Sequence, residues 1–305
     1  MKHYLNGRFR GSLDTSGEVG LWHIFRWKLL RSPLKAAQSR ETMPLKVVYE
    51  PEKLIGTEDF ICWLSHASFL IQIGGKRILI DPVFGDIPFY KRQTDFPYTI
   101  SELGLVDYLL ISHAHYDHLD IPSIQAIASN PPKAIIPLKM DSLINKAAPQ
   151  ISTVELDWYE NFEEDGLTVT LVPARHWNRR GLFDTNRILW GGYIIQYKDR
   201  TIYFAGDTAM GPHFTQIGQR YDIDIALMPI GAYKPEFIMK ANHLDPQEAY
   251  EAFKALKAKK MIPMHYGTFK LSDEPLDEPP QWLQRIAEKK NETFCFLNSG
   301  EVLTL

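Results

Sequence analysis

Five short apolar segments of this chain each lead directly into a histidine or an aspartate. Runs of four to six aliphatic or aromatic residues bounded by polar ones are typical of buried β-strands. Ligands of α/β proteins gather where the strands end, at one edge of the sheet. The pattern therefore predicts an α/β protein whose reactive groups meet at a single sheet edge. The five residues that follow the apolar runs are Asp81, His113, His176, Asp207 and His265.

The remaining pattern predicts mixed strands with intervening helices, which favours an α/β sandwich. One helix has a clear predicted start, with Asp245 as its cap, Pro246 in the first turn and Glu248 placed for a reciprocal contact. The predicted strands are 60–65, 69–73, 77–80, 107–112, 168–173, 188–197, 201–205, 223–228 and 260–264. The predicted helices lie near 121–129, 213–220, 245–257 and 279–290. We expect an N-terminal extension, 1–50, packed on or near a single large domain, 51–305.

Composition excludes several classes of protein. A chain of 305 residues that is 45% hydrophobic can bury a substantial core. Its formal charge of −3 argues against a nucleic-acid-binding protein. Two distant cysteines, Cys62 and Cys295, imply no disulfide framework. The start lacks the apolar core of a signal peptide, and no run is long enough to span a bilayer. We expect a cytoplasmic protein, peripheral to a membrane at most.

The segment 113–118 places four metal-ligating side chains within six residues: His113, His115, Asp117 and His118. In an extended chain alternate residues share a face, so His113 and His115 can reach one ion together. Asp117 and His118 are adjacent and must diverge, which suits a second ion. These ligand types favour zinc, iron or manganese. A solvated polar loop is the alternative, but the distant histidines and aspartate can supply the missing ligands.

Together these residues resemble the pattern of the metallo-β-lactamase superfamily. The resemblance implies a four-layered αβ/βα sandwich, with two mixed sheets packed face to face and helices outside. It implies two divalent metal ions, most simply zinc, sharing a hydroxide that acts as nucleophile. Gly206 would let the backbone approach the ions closely. By this resemblance, one ion is held by His113, His115 and His176, the second by Asp117, His118 and His265, and Asp207 bridges the two.

Seven short segments carry a closer resemblance that covers roughly residues 55–285. They are 63–70 (WLSHASFL), 98–103 (YTISEL), 174–177 (ARHW), 188–192 (ILWGG), 229–233 (PIGAY), 243–246 (HLDP) and 265–269 (HYGTF). These segments look like those of N-acylphosphatidylethanolamine-hydrolysing phospholipase D. The resemblance implies a zinc phosphodiesterase that cleaves a phospholipid between phosphatidic acid and an N-acylethanolamine. It places Asp117, Asp207 and His243 in catalysis.

Residues around this centre carry further predictions. His243 is expected to hold a phosphate oxygen or protonate the leaving group, or else to orient a ligand. Asp81 is expected to hydrogen-bond a ligand histidine, and His66 to support the ligands or the fold. Arg175, with Arg179 and Arg180, would pair with a substrate phosphate or remain solvated charge. The aromatic loop 82–98 would line an entrance for acyl chains or cover the core.

Other functions stay open at this stage. A lactonase or carboxylic-ester hydrolase acting on a small soluble substrate is the nearest alternative. A tRNA-processing nuclease is disfavoured by the charge, a redox di-iron protein by the lack of a flavin-binding domain, and a lipid-binding scaffold by the intact ligand set. The basic and aromatic stretch 21–31 reads as a helix that packs on the core or touches a membrane. A homodimer is the commonest closed assembly.

Overall fold

The computed structural model describes residues 3–11 and 44–305. Its strands are short, between two and six residues long. In chain order they are β1 (Tyr4–Leu5), β2 (Arg8–Phe9), β3 (Phe60–Trp63), β4 (Phe69–Ile73), β5 (Lys76–Ile80), β6 (Tyr108–Leu110), β7 (Lys133–Pro137), β8 (Thr153–Leu156), β9 (Asn161–Glu164), β10 (Leu167–Val172), β11 (Gly192–Tyr197), β12 (Arg200–Phe204), β13 (Ile225–Pro229), β14 (Lys260–Met264) and β15 (Val302–Thr304).

Two large sheets contain all but the N-terminal pair of these strands. The seven-stranded sheet has the order β15-β3-β4-β5-β6-β7-β8, antiparallel as far as β5 and parallel beyond it. The six-stranded sheet has the order β14-β13-β12-β11-β10-β9, with β14, β13 and β12 parallel and the rest antiparallel. The parallel parts bring several carboxyl-terminal strand ends to one edge of each sheet.

The helices cover the outer faces of the sheets. They are α1 (Ile121–Ile127), α2 (Asp141–Ala147), α3 (His213–Arg220), α4 (Glu236–Met239), α5 (Pro246–Leu256) and α6 (Glu278–Lys290), with 3₁₀ turns at Pro51–Leu54 and Ile100–Leu103. α1 and α2 pack on the seven-stranded sheet, and α3, α5 and α6 on the other. The predicted capping contacts of Asp245 and Glu248 are both present at the start of α5. The predicted α/β sandwich is confirmed.

Alternate residues of the central strands face opposite apolar layers. In β5, Ile78 and Ile80 join the cluster between the sheets, whereas Leu79 joins the cluster beneath α1 and α2. A strand buried on both faces reads as a continuous apolar run, which is why these strands could be found in the sequence. The buried Tyr193 hydroxyl donates to the carbonyls of Ile111 and Ile135, so it ties the six-stranded sheet to its partner.

The sequence pattern missed β7, β8, β9 and β15 and the helices α2 and α4. β9 alternates polar side chains and forms a sheet edge, so it carries no long apolar run. The strand predicted over 188–197 begins only at Gly192, because residues 188–191 leave the sheet. The edge strands β8, β9 and β15 and the four-residue helix α4 leave too few buried positions for periodicity to register, whereas β7 is an internal strand and α2 has seven residues, so this reason does not extend to them.

The described part of the N-terminal extension lies against the main domain. The Phe9 side chain is buried, its backbone N–H donates to the Asn186 carbonyl at 2.6 Å, and the His3 ring stacks on Trp158 at 4.6 Å. The boundary at residue 50 stays a prediction, and the helix predicted over 21–31 lies outside the described residues. Among the helices that the structure describes, none has the length and apolarity needed to cross a membrane.

Candidate metal centre

The loops that follow β6, β10, β12, β13 and β14 converge on one cluster of imidazole and carboxylate groups. In the first part of this cluster, His113 Nε2 lies 2.9 Å and His176 Nε2 lies 3.2 Å from Nδ1 of His115. The three rings meet edge to face, with centroids 4.6–5.1 Å apart. Their nitrogens therefore point at a common position instead of at separate solvent sites.

The second part of the cluster is built around Asp117. Its Oδ2 lies 3.6 Å from His118 Nε2, 3.5 Å from His265 Nε2 and 3.0 Å from His66 Nε2. Candidate ligand atoms of these four residues all lie within 4.8 Å of one another. His66 is thus in direct contact with the predicted second ligand group.

Asp207 stands between the two groups and presents one carboxylate oxygen to each. Oδ2 lies 3.9 Å from His113 Nε2 and 3.8 Å from His176 Nε2, whereas Oδ1 lies 3.3 Å from His118 Nε2 and 3.0 Å from His265 Nε2. Gly206 makes this placement achievable, since its φ is +60° and a Cβ there would lie 2.9 Å from the Gly191 carbonyl oxygen.

Nε2 of His118, Nε2 of His265 and Oδ1 of Asp207 are buried and face one another as ion pairs, without the geometry of a good hydrogen bond. Buried polar atoms of native proteins almost always make good hydrogen bonds, so a convergent group that lacks them points to a further binding partner. Neutral imidazole nitrogens and carboxylate oxygens are the donors that zinc, iron and manganese accept. The residues present therefore fit a divalent metal.

Burial decides the charge of the first histidine group. It lowers the pKa of His113 and His176 well below the usual range and that of His115 to about 4, and repulsion between neighbouring imidazoles acts in the same direction. Nearby carboxylates oppose the effect without overcoming it. All three rings are thus neutral near pH 7, the form in which histidine binds a metal.

Neighbouring carboxylates set the pKa values of the second histidine group, His118 and His265. Burial opposes a charge on His265, but Asp207 and Asp117 outweigh it and raise the pKa of His265 to about 9. The same carboxylates raise the pKa of His118, again against the effect of burial. Burial disfavours the ionised forms of Asp117 and Asp207, yet the adjacent histidines hold the pKa of each carboxyl well below its usual range. Without metal, the centre is thus a network of buried ion pairs.

A family model described as a beta-lactamase superfamily domain matches residues 76–266, which contain every element of the centre except His66. The chain belongs to the metallo-β-lactamase superfamily. Igni18, a metallo hydrolase from the archaeon Ignicoccus hospitalis, shares the fold, with a TM-score of 0.65 and 23% identity over 82% of this chain and 99% of that chain. The chain is a metal-dependent hydrolase of this superfamily.

Curated relatives extend the similarity over more of the chain. N-acyl-phosphatidylethanolamine-hydrolyzing phospholipase D 1 of Caenorhabditis elegans is 32% identical over 319 residues, 95% of this chain and 89% of the relative. The mitochondrial phospholipase D of the same description from Saccharomyces cerevisiae is 34% identical over 240 residues, 74% of this chain and 51% of the relative. The resemblance found in the sequence is therefore confirmed at the level of the family.

Beneath this superfamily centre, Asp81 and Ser112 orient two of the histidines. Asp81 is fully buried, and its Oδ2 accepts from His118 Nδ1 at 2.7 Å and from the Ser112 hydroxyl at 2.5 Å. The Ser112 Oγ also lies 3.0 Å from His113 Nδ1. A ligand histidine whose second nitrogen is fixed can present only one face to a metal. Sequence reasoning predicted such a contact for Asp81 but missed Ser112.

His66 occupies a strained turn that the metal loops hold in place. Its φ is +51° and that of Ser65 is +90°, values that residues with a Cβ seldom adopt. The backbone N–H of His66 donates to Thr268 Oγ1, and its carbonyl accepts from Trp63 Nε1 and from the His265 backbone. The strain is stored at the site because the surrounding contacts fix the imidazole against Asp117.

Arg180 is bound in part by the protein itself. Its Nη1 donates to the carbonyls of Ala114 and Leu119 at 3.2 and 2.6 Å, and a phosphate contact through its other N–H groups stays a prediction. Asn178 fixes the same loop by accepting from the Ala114 N–H and donating to the Ile188 carbonyl. These two residues hold the histidine loop against the loop that follows β10. The sequence analysis did not predict this contact for Arg180 and did not identify Asn178 at all.

The remaining arginines of this loop differ in placement. Arg175 is half-buried, and its Nη1 donates to the Met210 carbonyl at 2.6 Å, which leaves its Nε buried without a partner. Arg179 stacks its guanidinium on Trp177, 5.6 Å from the ring centroid, and Trp177 in turn packs against the edge of His115. A phosphate-binding role for Arg175 stays a prediction.

The aromatic loop 82–98 divides between the two interpretations made from sequence. Phe84 and Phe96 pack edge to face at 4.9 Å, and the buried Tyr98 hydroxyl donates to the Gly300 carbonyl at 2.5 Å. These three cover the core. Phe89, by contrast, is 99% exposed. The half-buried guanidinium of Arg92 holds the loop in place by donating to the Val83 and Thr94 carbonyls and to the hydroxyl of Ser65.

His213 gives a prediction about acid stability that does not involve the metal ligands. Burial, together with repulsion from Arg175, lowers its pKa to about 3. Below about pH 6.5, the His213 side chain therefore binds a proton in the unfolded chain but not in the folded chain. The free energy of unfolding consequently falls by roughly 1.4 kcal/mol for each pH unit below that value. We expect a His213→Gln variant to lose less stability between pH 7 and pH 5 than the parent, measured by urea denaturation. Identical pH slopes for the two proteins would contradict this assignment.

Proposed function

We propose that this protein is a phospholipase D-type phosphodiesterase that cleaves N-acylphosphatidylethanolamine or a related phospholipid, using two divalent metal ions. Zinc is the simplest choice for both ions. One would be held by His113, His115 and His176. The other would be held by Asp117, His118 and His265, with Asp207 contributing an oxygen to each.

The observation that carries the two-metal proposal is the orientation of Asp207. Its two oxygens face different histidine groups, and both groups consist of buried atoms directed toward the same carboxylate. The seven candidate ligand residues also exceed the four positions that one zinc ion normally offers. The donor set therefore supports two neighbouring ions.

The substrate class is supported by the relatives. The two phospholipases D described above are named for hydrolysing N-acyl-phosphatidylethanolamine, and the worm protein matches this chain over 95% of its length. The match includes the segments around His176, His243 and His265, which surround the centre. A phosphodiester suits a two-metal site, because such ions stabilise both the attacking and the leaving oxygen of an in-line displacement.

The protein's own groups would divide the remaining tasks. Bound metal would polarise a phosphoryl oxygen and lower the pKa of a water molecule to near neutrality. His243 Nε2 lies 3.5 Å from Asp207 Oδ2, and its side chain, at 15% exposed, is more accessible than the buried ligand rings. This position suits hydrogen bonding to a substrate phosphate oxygen or delivery of a proton to the leaving oxygen. Asp81 and Ser112 would keep His118 and His113 aimed at the metals.

Metal analysis followed by a substrate panel on the same preparation tests the proposal. We expect two metal equivalents per chain and release of N-acylethanolamine from N-acylphosphatidylethanolamine in detergent micelles, with chelation abolishing turnover and zinc restoring it. One equivalent at full activity would refute the two-metal assignment. Opening of lactones or hydrolysis of carboxylic esters, with the phospholipid left intact, would favour the lactonase alternative.

A further inference from the structure

The most exposed large apolar side chains of the described chain lie on the loops that surround the metal centre. Phe89 is 99%, Leu182 85% and Phe183 80% exposed, more than any other large hydrophobic side chain in residues 3–11 and 44–305, and Phe237 is 62% exposed. Isolated exposed hydrophobics need no explanation, but a group of them around one site marks an interaction surface. We call these four residues the apolar rim.

Each member of the rim is anchored to the centre through its own loop. Arg92 and Gln93 tie the loop of Phe89 to Ser65 and Thr268, the neighbours of His66 and His265. Leu182 and Phe183 follow His176 in the loop that Arg180 clamps to the histidine segment.

Phe237 is connected to the centre through the loop that follows β13. It lies in α4, whose residue Met239 accepts through its carbonyl from the backbone N–H of Asn242 and of His243. The Asn242 carbonyl lies 3.0 Å from Nδ1 of His176. Each rim residue thus lies on a loop that hydrogen-bonds to a residue of the centre or to a direct neighbour of one.

The charge around Leu182 and Phe183 is positive. Residues 175–187 contain four arginines and one carboxylate, Asp184, which is turned inward to accept from the backbone N–H groups of Arg180 and Gly181. Arg187 is exposed, and the exposed Arg8 donates to the carbonyls of Phe183 and Thr185. Apolar tips flanked by cations match the acyl and anionic headgroup regions of a bilayer interface.

We infer that the apolar rim docks this protein on an anionic lipid bilayer, so that the metal centre opens onto the membrane surface. This inference rests in part on the proposed function, since a phospholipid substrate must be drawn from a bilayer. The rim would insert Phe89, Leu182, Phe183 and Phe237 into the interface, and the exposed Arg187 would contact lipid phosphates.

Vesicle flotation with the full chain tests the inference without any turnover. We expect binding to phosphatidylcholine vesicles that contain phosphatidylglycerol and much weaker binding to pure phosphatidylcholine. A Leu182→Ser, Phe183→Ser double variant should bind at least about tenfold more weakly, because two large apolar side chains no longer enter the bilayer. An Arg187→Gln variant should lose about fivefold on the anionic vesicles only.

A matched control removes equally exposed side chains from the opposite edge. Ile55 and Leu105 are 79% and 70% exposed and precede β3 and β6, at the strand ends away from the metals. An Ile55→Ser, Leu105→Ser variant should bind vesicles as the parent does. Equal loss in both double variants would overturn the inference, as would rim variants that change only the oligomeric state, because the rim would then be a contact between copies of this chain.

Hydrolysis separates this inference from the proposed function. The rim variants should keep parental activity on a soluble phosphodiester such as bis(p-nitrophenyl) phosphate and lose activity only on vesicles. Rim-dependent vesicle binding by a protein that cleaves no phospholipid would refute the proposed function and leave the docking surface standing. Hydrolysis of micellar phospholipid by a protein that binds no vesicles would overturn the docking surface alone.

Discussion

An Asp207→Ala variant is expected to lose hydrolytic activity by a factor of at least about 10³ and to bind substantially less metal. The physical reason is that Asp207 faces both ligand groups, with Oδ2 toward His113 and His176 and Oδ1 toward His118 and His265. Removing the carboxylate takes a ligand and a negative charge from both ions at once. An Asp207→Asn variant keeps one oxygen as an acceptor but no charge, so we expect it to retain more metal than the alanine variant.

Elemental analysis and turnover on the same preparations measure this effect. Asp199 offers a matched control, because it is an exposed aspartate in the turn between β11 and β12, away from the centre. An Asp199→Ala variant should keep the metal and activity of the parent. Full turnover by metal-free Asp207→Ala protein would eliminate the proposed mechanism, whereas retention of both metals in that variant would show that Asp207 does not bridge them.

A His243→Ala variant is expected to turn over about 10²- to 10⁴-fold more slowly while keeping its full metal content. His243 Nε2 approaches Asp207 at 3.5 Å, but the imidazole is more accessible than the buried ligand rings and lies in the segment just before α5. Such a position suits a group that acts on the substrate. Loss of metal from the variant would instead make His243 a ligand, together with His176 and Asp207.

The leaving group distinguishes the two catalytic roles open to His243. If its Nε2 proton is delivered to the leaving oxygen, the variant should be impaired on an alkyl phosphodiester and nearly normal on a p-nitrophenyl ester, whose phenolate leaves without a proton. If His243 only holds a phosphate oxygen, the turnover of both substrates should fall by a similar factor. A His3→Ala variant, altered in the N-terminal hairpin, should match the parent on both substrates and so controls for loss of a histidine elsewhere.

These experiments address residues that the sequence already brought forward, and the reason is chemical. Ligand residues are conspicuous because histidine and aspartate directly after an apolar strand break the local pattern, as at His113, Asp207 and His265. Buried strands are conspicuous because their apolar runs are uninterrupted. The α/β sandwich could therefore be predicted from the sequence, as could the convergence of these histidines and aspartates on one cluster, whereas their binding of metal stays a prediction.

The supporting residues could not be predicted in this way. Arg180 and Asn178 fix the histidine loop through backbone carbonyl and amide groups that lie more than sixty residues away in the chain. Ser112 orients His113 only because β5 delivers Asp81 beside it. Such contacts depend on where two loops meet, and neither partner carries a sequence pattern that specifies the other.

The sequence by itself indicated the fold class and the candidate ligands, because strand periodicity and ligand chemistry are properties of local residue order, and its resemblance to known segments indicated the superfamily. The tertiary structure alone decided that Asp207 faces both histidine groups, that Arg180 Nη1 binds two backbone carbonyls, and that Phe89, Leu182 and Phe183 are exposed. Distances and exposure arise only when separate segments pack together. The sequence specifies which side chains are present, and packing determines which of them contact each other and which are exposed to solvent.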